Sequence, residues 1–153
     1  VSIIKKQYGN SNLIAGVATG AIAHGALVAE EMGLPFIYIR SSSKGHGKQN
    51  QIEGAYHEGQ SVIVIEDLIS SGKSSLEAVN ALRKEGLDVK GLISIFTYGF
   101  DEASENFKKA DCEFVSLCDY ATLLQEAVKQ DYIKESNLEI LEQWRENPSK
   151  WKL

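Results

Sequence analysis

A chain of 153 residues with 43% apolar and 24% charged residues is long enough to bury one hydrophobic core, and its composition is that of an ordinary globular protein. Its formal net charge of −5 argues against a broad nucleic-acid-binding surface but leaves room for a local basic loop that takes a small anion. No apolar run is long enough to cross a bilayer, no signal-peptide pattern is present, and Cys112 and Cys118 stand at a C-x5-C spacing that matches no common metal site, so the two read as core or near-surface thiols and the expected location is the cytoplasm.

The chain begins Val-Ser-Ile-Ile and its single methionine is Met32, so residues 3–8 read as the end of a helix and an N-terminal truncation is expected. Leu13–Val17 reads as a short buried strand, and the small segment 16–21, bracketed by glycines, suits a tight loop. Ala21–Met32 is rich in alanine and predicts a helix with Gly33 as its C-terminal cap. Pro35 breaks the pattern and 36–40 alternates as a strand. Residues 41–60 have no periodicity and are dense in Ser, Gly, Lys, His, Asn and Gln; loops of that length in compact domains are commonly functional. The apolar run 62–65 predicts the next strand, and Leu76, Val79 and Leu82, with Leu87 beyond, mark one face of a helix that Gly86 ends. A third apolar strand is expected over 89–98, a helix over 101–110 and a strand over 113–117, followed by two acidic amphipathic segments near 119–130 and 134–146. Strands alternating with helices predict an α/β fold with a mainly parallel sheet flanked by helices, as a single domain over 1–153. Ligands of such sheets bind at the carboxyl ends of the strands, so the loops 16–21, 40–47 and 66–75 are expected to converge on one crevice.

The most informative stretch is VIVIEDLISSGKSS at 62–75. Four β-branched residues suit a strand buried on both faces. The turn Ser70-Ser71-Gly72-Lys73-Ser74 opens a helix, where backbone N–H groups and the positive end of the helix dipole favour a phosphate. Glu66 and Asp67 stand just before it, and charges at the end of a buried strand are costly unless paired or functional. The combination points to a phosphorylated sugar bearing hydroxyls, with a metal. Gly72-Lys73-Ser74 ends like a Walker A motif, but that motif needs a glycine where this chain has Asp67, so P-loop nucleotide hydrolysis is excluded.

Glu66-Asp67-Leu68-Ile69-Ser70-Ser71-Gly72-Lys73-Ser74 resembles the signature of type I phosphoribosyltransferases, which bind phosphoribosyl pyrophosphate (PRPP). Arg40-Ser41-Ser42-Ser43-Lys44-Gly45-His46-Gly47, continuing to Gln51-Ile52-Glu53-Gly54, resembles the catalytic loop of the orotate phosphoribosyltransferase family. Ser94-Ile95-Phe96-Thr97-Tyr98 and Gln143-Trp144-Arg145-Glu146-Asn147-Pro148 are similar to bacterial members, so the resemblance spans essentially the whole chain. It implies that PRPP and orotate give orotidine 5′-monophosphate and pyrophosphate in pyrimidine biosynthesis. It also implies a homodimer in which the 40–47 loop is shared across the interface, and an N-terminal hood over the base. The turn Ser70, Ser71, Gly72, Lys73, Ser74, with Leu68 and Ile69 before it, would bind the 5-phosphate, and Ser70 would also contact orotate. Glu66 and Asp67 would lie by the ribose hydroxyls near Mg2+, which PRPP itself would mainly hold. Ala18, Thr19 and Gly20 would contact pyrophosphate, and Arg40, Lys44 and His46 would close over that leaving group.

The residue chemistry agrees with those roles. Breaking the anomeric C–O bond builds positive charge on ribose and negative charge on pyrophosphate, which cations and a metal stabilise. Arg40 offers a planar fork, Lys44 a point charge, and His46 a donor near neutral pH. His24 reads as structural and His57 as a loop residue, while Lys73 either adds charge at the phosphate or points to solvent. Some relatives carry Lys where this chain has Ser41, and Arg near the position of Tyr98; both differences occur together in one bacterial branch. Purine phosphoribosyl transfer, and PRPP- or nucleotide-dependent transcriptional regulation on the same fold, are the competing readings.

Overall fold

The computed structural model of the chain describes residues 1–9, 11–40, 51–148 and 151. The elements, in chain order, are α1 (Ser2–Gln7), β1 (Leu13–Val17), α2 (Ala21–Met32), β2 (Phe36–Ile39), β3 (Ile52–Glu53), β4 (Ser61–Ile69), α3 (Lys73–Lys84), β5 (Asp88–Thr97), α4 (Asp101–Lys109), β6 (Phe114–Asp119), α5 (Tyr120–Lys129) and α6 (Leu138–Glu146), with a 3-10 turn over Glu135–Asn137 before the last helix. Among the described residues the strands form one sheet in the order β3-β2-β1-β4-β5-β6. β1, β2, β4, β5 and β6 run parallel, and β3 pairs antiparallel with β2.

Two departures from the expected elements matter for the site. Within 41–60, Ile52 and Glu53 form a strand that pairs with Ile39 and Tyr38; two residues are too few to show a periodicity. Strand β4 does not stop at the acids but runs through Glu66 and Asp67 to Ile69. Its outer partner β5 continues alongside, with Glu66 opposite Ser94 and Ile69 opposite Thr97, so both acids are carried by the sheet rather than by a loop.

Period-two alternation splits the interior into two layers. Leu13, Ala15, Val17, Val62 and Val64 face α3 and α4 through Ala78, Val79, Leu82, Ala103 and Phe107. Ile14, Ile63, Ile65 and Ile93 face the opposite way, against Ala21 and Ala29 of α2 and Ile4 of α1. Gly33 ends α2 in the left-handed conformation, its N–H donating to the Glu30 carbonyl, as its place after the last helical residue predicts. Cys112 is buried, Cys118 is half-buried, and both are free thiols. No helix among the described residues is long and apolar enough to cross a membrane.

Helix α2 lies close against the sheet because glycines meet there. A Cβ on Gly25 would stand 2.7 Å from Phe36 Cε2 and 3.3 Å from Gly16 Cα. Overpacking of this kind costs roughly 1–3 kcal/mol. Gly25→Val is therefore expected to lower Tm by about 3–10 °C, read by thermal unfolding; an unchanged Tm would mean that α2 slides without cost.

Candidate active site

The order β3-β2-β1-β4-β5-β6 reverses direction at the β1–β4 pair: β1 leads through α2 to a strand on one side, and β4 leads through α3 to a strand on the other. A crevice outside the carboxyl ends of such a pair is where open α/β sheets bind ligands. The structure has one there, with a volume of about 260 Å³. Ala18, Thr19 and Gly20 form one wall, Glu66, Asp67, Leu68 and Ser74 another, and Arg40 with Gln51 stands at the β2–β3 end.

Each wall is held by its own hydrogen bonds. The Ala18 N–H donates to the Ile39 carbonyl at 2.8 Å, which ties the β1–α2 loop to β2. The Ala18–Thr19 peptide is cis. Gly20 faces the acids so closely that a Cβ at that position would overlap the Asp67 carboxylate. The Arg40 N–H donates to the Gln51 carbonyl at 2.8 Å, and Arg40 Nη1 lies 3.5 Å from Glu53 Oε1. Lys44 and His46, expected to act on the leaving group, lie outside the described residues.

Glu66 is the buried member of the acid pair, at 4% exposure. Ser75 Oγ donates to its Oε2 at 2.8 Å and the Asp67 N–H to its Oε1 at 3.1 Å. Burial, above all, pushes its carboxyl up to about 7 against the opposing Ser75 hydrogen bond, with the neighbouring Asp67 adding to the rise. Asp67 is half-exposed on the crevice side, and its Oδ1 accepts from the Leu68 N–H at 2.8 Å. The pair is thus one acid that titrates near neutrality beside one that reaches the crevice.

A carboxyl raised in the fold stabilises it in its protonated form. That contribution is fully present below the ordinary value of 4.5 and is lost as pH rises through about 7. Glutamine mimics the protonated acid, since its amide donates to Ser75 Oγ while its oxygen accepts from the Asp67 N–H. Glu66→Gln is therefore expected to raise thermal stability at pH 8 by at most about 3 kcal/mol, with the advantage shrinking toward pH 5. A Tm difference that does not vary with pH would contradict the burial of a titrating group here.

The turn at 70–74 is backed by α4. Gly72 has φ +76°, and a Cβ there would stand 2.6 Å from Phe107 Cε2, so the position needs glycine for both its conformation and its space. Asn106 Nδ2 donates to the Ser71 carbonyl at 3.0 Å. No side chain caps α3, whose first amides have no partner within the helix and so can take an anion. Lys73 turns away to an exposed ion pair with Glu102 at 3.1 Å. Ile69 has its side chain in the core, and Ser70 is exposed at the turn. Glu77 in the crevice, Ser75 behind Glu66 and Asn106 behind the turn are not singled out by sequence spacing; nine residues from Glu66 to Ser75 is one strand–turn–helix return, a signal that could have suggested their meeting. Among the described residues no three His, Cys, Asp or Glu side chains form a metal cage.

An uncapped helix start, an acid pair and a glycine loop meet at one sheet reversal, the arrangement expected of a crevice for a phosphorylated sugar. Residues 2–131 match the family model described as Phosphoribosyl transferase domain. The chain is 48% identical over 149 residues to the orotate phosphoribosyltransferase of Porphyromonas gingivalis, covering 97% of this chain and 71% of that protein. It is 50% identical to the orotate phosphoribosyltransferase of Phocaeicola vulgatus over 97% of this chain and 70% of that protein. The solved orotate phosphoribosyltransferase of Aeropyrum pernix superposes with a TM-score of 0.72 at 28% identity, over 82% of this chain and 72% of that one. The chain belongs to the orotate phosphoribosyltransferase family of phosphoribosyltransferases.

Proposed function

We propose that this protein transfers the 5-phosphoribosyl group of PRPP to orotate, forming orotidine 5′-monophosphate and pyrophosphate in pyrimidine biosynthesis. The observation that carries the reading is the crevice itself: the acid pair of β4 stands between an uncapped helix start and the Ala18-Thr19-Gly20 loop, in a chain 48–50% identical to orotate phosphoribosyltransferases.

In this reading the 5-phosphate sits on the backbone of Ser70, Ser71, Gly72, Lys73 and Ser74, following Leu68 and Ile69, and Asp67 accepts from the ribose hydroxyls with Glu66 behind it. The C–O bond at the anomeric carbon breaks with its electron pair leaving on pyrophosphate, and a ring nitrogen of orotate forms the new bond to that carbon as its N–H proton passes to the departing pyrophosphate or to solvent. Ala18, Thr19 and Gly20 hold the leaving group by backbone groups. Arg40, Lys44 and His46 offset its growing negative charge and exclude water. Ser70 contacts orotate as well as phosphate. A crevice lined by the carboxylates of Asp67 and Glu77, with no cage of three ligands among the described residues, suits Mg2+ carried mostly by substrate phosphates, with Glu66 and Asp67 nearby; when bound, it would supply further charge stabilisation to pyrophosphate. A cytoplasmic homodimer with the 40–47 loop reaching the neighbouring site completes the proposal.

The test is pyrophosphate release by the full-length protein with PRPP and Mg2+, using orotate beside adenine, hypoxanthine and xanthine. Release with orotate alone is expected; release with a purine and none with orotate would overturn the acceptor.

A further inference from the structure

The C-terminal helix is wired to the start of the phosphate turn. Arg145 of α6 donates from Nε to the Tyr98 carbonyl at 2.9 Å and from Nη2 to the Gly99 carbonyl at 2.6 Å. Those carbonyls belong to the bend that leaves β5, and the bend donates in turn to the neighbouring strand. The Tyr98 N–H reaches the Ile69 carbonyl at 3.1 Å, and Thr97 Oγ1 donates to the same oxygen at 3.3 Å while accepting from the Gly99 N–H at 3.1 Å. Ile69 is the last residue of β4, and Ser70 opens the turn.

The fork is aimed, not incidental. Trp144 packs edge-on to Tyr98 at 5.6 Å and lies 5.4 Å from Tyr120, while the Tyr98 ring stacks on Phe100 at 5.4 Å. The Tyr120 hydroxyl donates to the Leu141 carbonyl at 3.4 Å, so α6 is fixed from a second side. Gly99 has φ +67°, and a Cβ there would stand 3.2 Å from Arg145 Nη2, so the bend and the guanidinium are shaped to each other. The aromatic ring contacts pack α6 against the bend. A planar fork over two successive carbonyls does something they do not: it sets the orientation of the 98–99 peptide.

We propose that Arg145 is a positioning residue for the phosphate turn, acting through the 97–99 bend and the Ile69 carbonyl. The inference rests on the reading of that turn as the PRPP phosphate site. A turn whose first peptide is displaced presents its amides wrongly to the phosphate, so the loss falls on donor binding.

Arg145→Ala and Arg145→Lys in the full-length protein separate this from packing. In Arg145→Ala the KM for PRPP is expected to rise about tenfold while kcat stays within about threefold. Amide hydrogen exchange at 70–74, measured without ligand, is expected to quicken about tenfold while β1 keeps its wild-type protection. Arg145→Lys, which keeps charge and stem, is expected to restore Tm but not KM, and added methylguanidinium to lower the KM of the alanine variant. Wild-type KM in both variants, or exchange that quickens throughout the sheet, would overturn the proposal. If the alanine variant does not fold, the lysine variant carries the same two measurements. Failure of wild-type protein to bind PRPP in titration calorimetry would instead overturn the donor assignment, and the exchange comparison still decides the wiring.

Discussion

Alanine at Lys44 is expected to lower kcat by about 100- to 1,000-fold while changing PRPP affinity by less than about threefold. PRPP brings most of its negative charge to the ground state, but the anomeric C–O bond adds more to pyrophosphate only as it breaks. A cation set beside the leaving group therefore acts chiefly in the transition state, and its removal appears in kcat. The described residues on either side of 41–50 lie at the crevice. Arg40 and Gln51 both line the crevice and are joined by a hydrogen bond, and β2 and β3 pair immediately beyond them. Pre-steady-state burst measurements beside equilibrium PRPP binding read the two quantities separately. Equal losses in affinity with an unchanged maximal rate would show that Lys44 binds the ground state instead.

Much of this architecture is legible in the sequence because the local signals agree with one another. Val62, Ile63, Val64 and Ile65 form an apolar run in a chain of alternating strands and helices, and each of the four is buried in one of two opposed layers. Gly33 and Gly86 follow the last helical residues of α2 and α3 at positive φ, where a residue without Cβ is favoured. What escapes the sequence is contact between distant segments. Ser75 reads as one more turn serine until the fold returns it to Glu66. Asn106 reads as an exposed helix position until α4 lays it on Ser71, 35 residues away. Arg145 stands in a stretch that resembles bacterial family members, but its partner, the Tyr98 carbonyl 47 residues back, has no mark in the sequence. Lys73 could be assigned either to the phosphate or to solvent from its position; the structure pairs it with Glu102, a partner no spacing rule names. Strand β3 escapes for a different reason, because its identity comes only from the partner it pairs with.

Asparagine at Asp67 is expected to reduce kcat/KM for PRPP by about 10- to 100-fold, the range set by losing charge-assisted hydrogen bonds, and to raise the Mg2+ concentration needed for half-maximal rate. The substitution keeps shape and removes charge. Asp67 is the half-exposed member of the pair, so it, rather than buried Glu66, is open to the crevice. Folding should not suffer: the neighbouring carboxylate helps push the Glu66 carboxyl up, and neutralising it relieves that repulsion. An activity loss with unchanged or higher Tm is therefore the expected pattern. A second substitution tests the same carboxylate from across the crevice. Gly20→Ala places a methyl group where the Asp67 carboxylate lies, and a side chain can swing aside far more cheaply than backbone can move. The expected result is a smaller loss of about tenfold, in the same kinetic direction. If both variants act on the position of one carboxylate, the double variant Gly20→Ala/Asp67→Asn should lose less than the sum of the two separate effects. Full additivity would place the two residues in independent roles, and an unchanged Mg2+ requirement in Asp67→Asn would remove this acid from the neighbourhood of the metal.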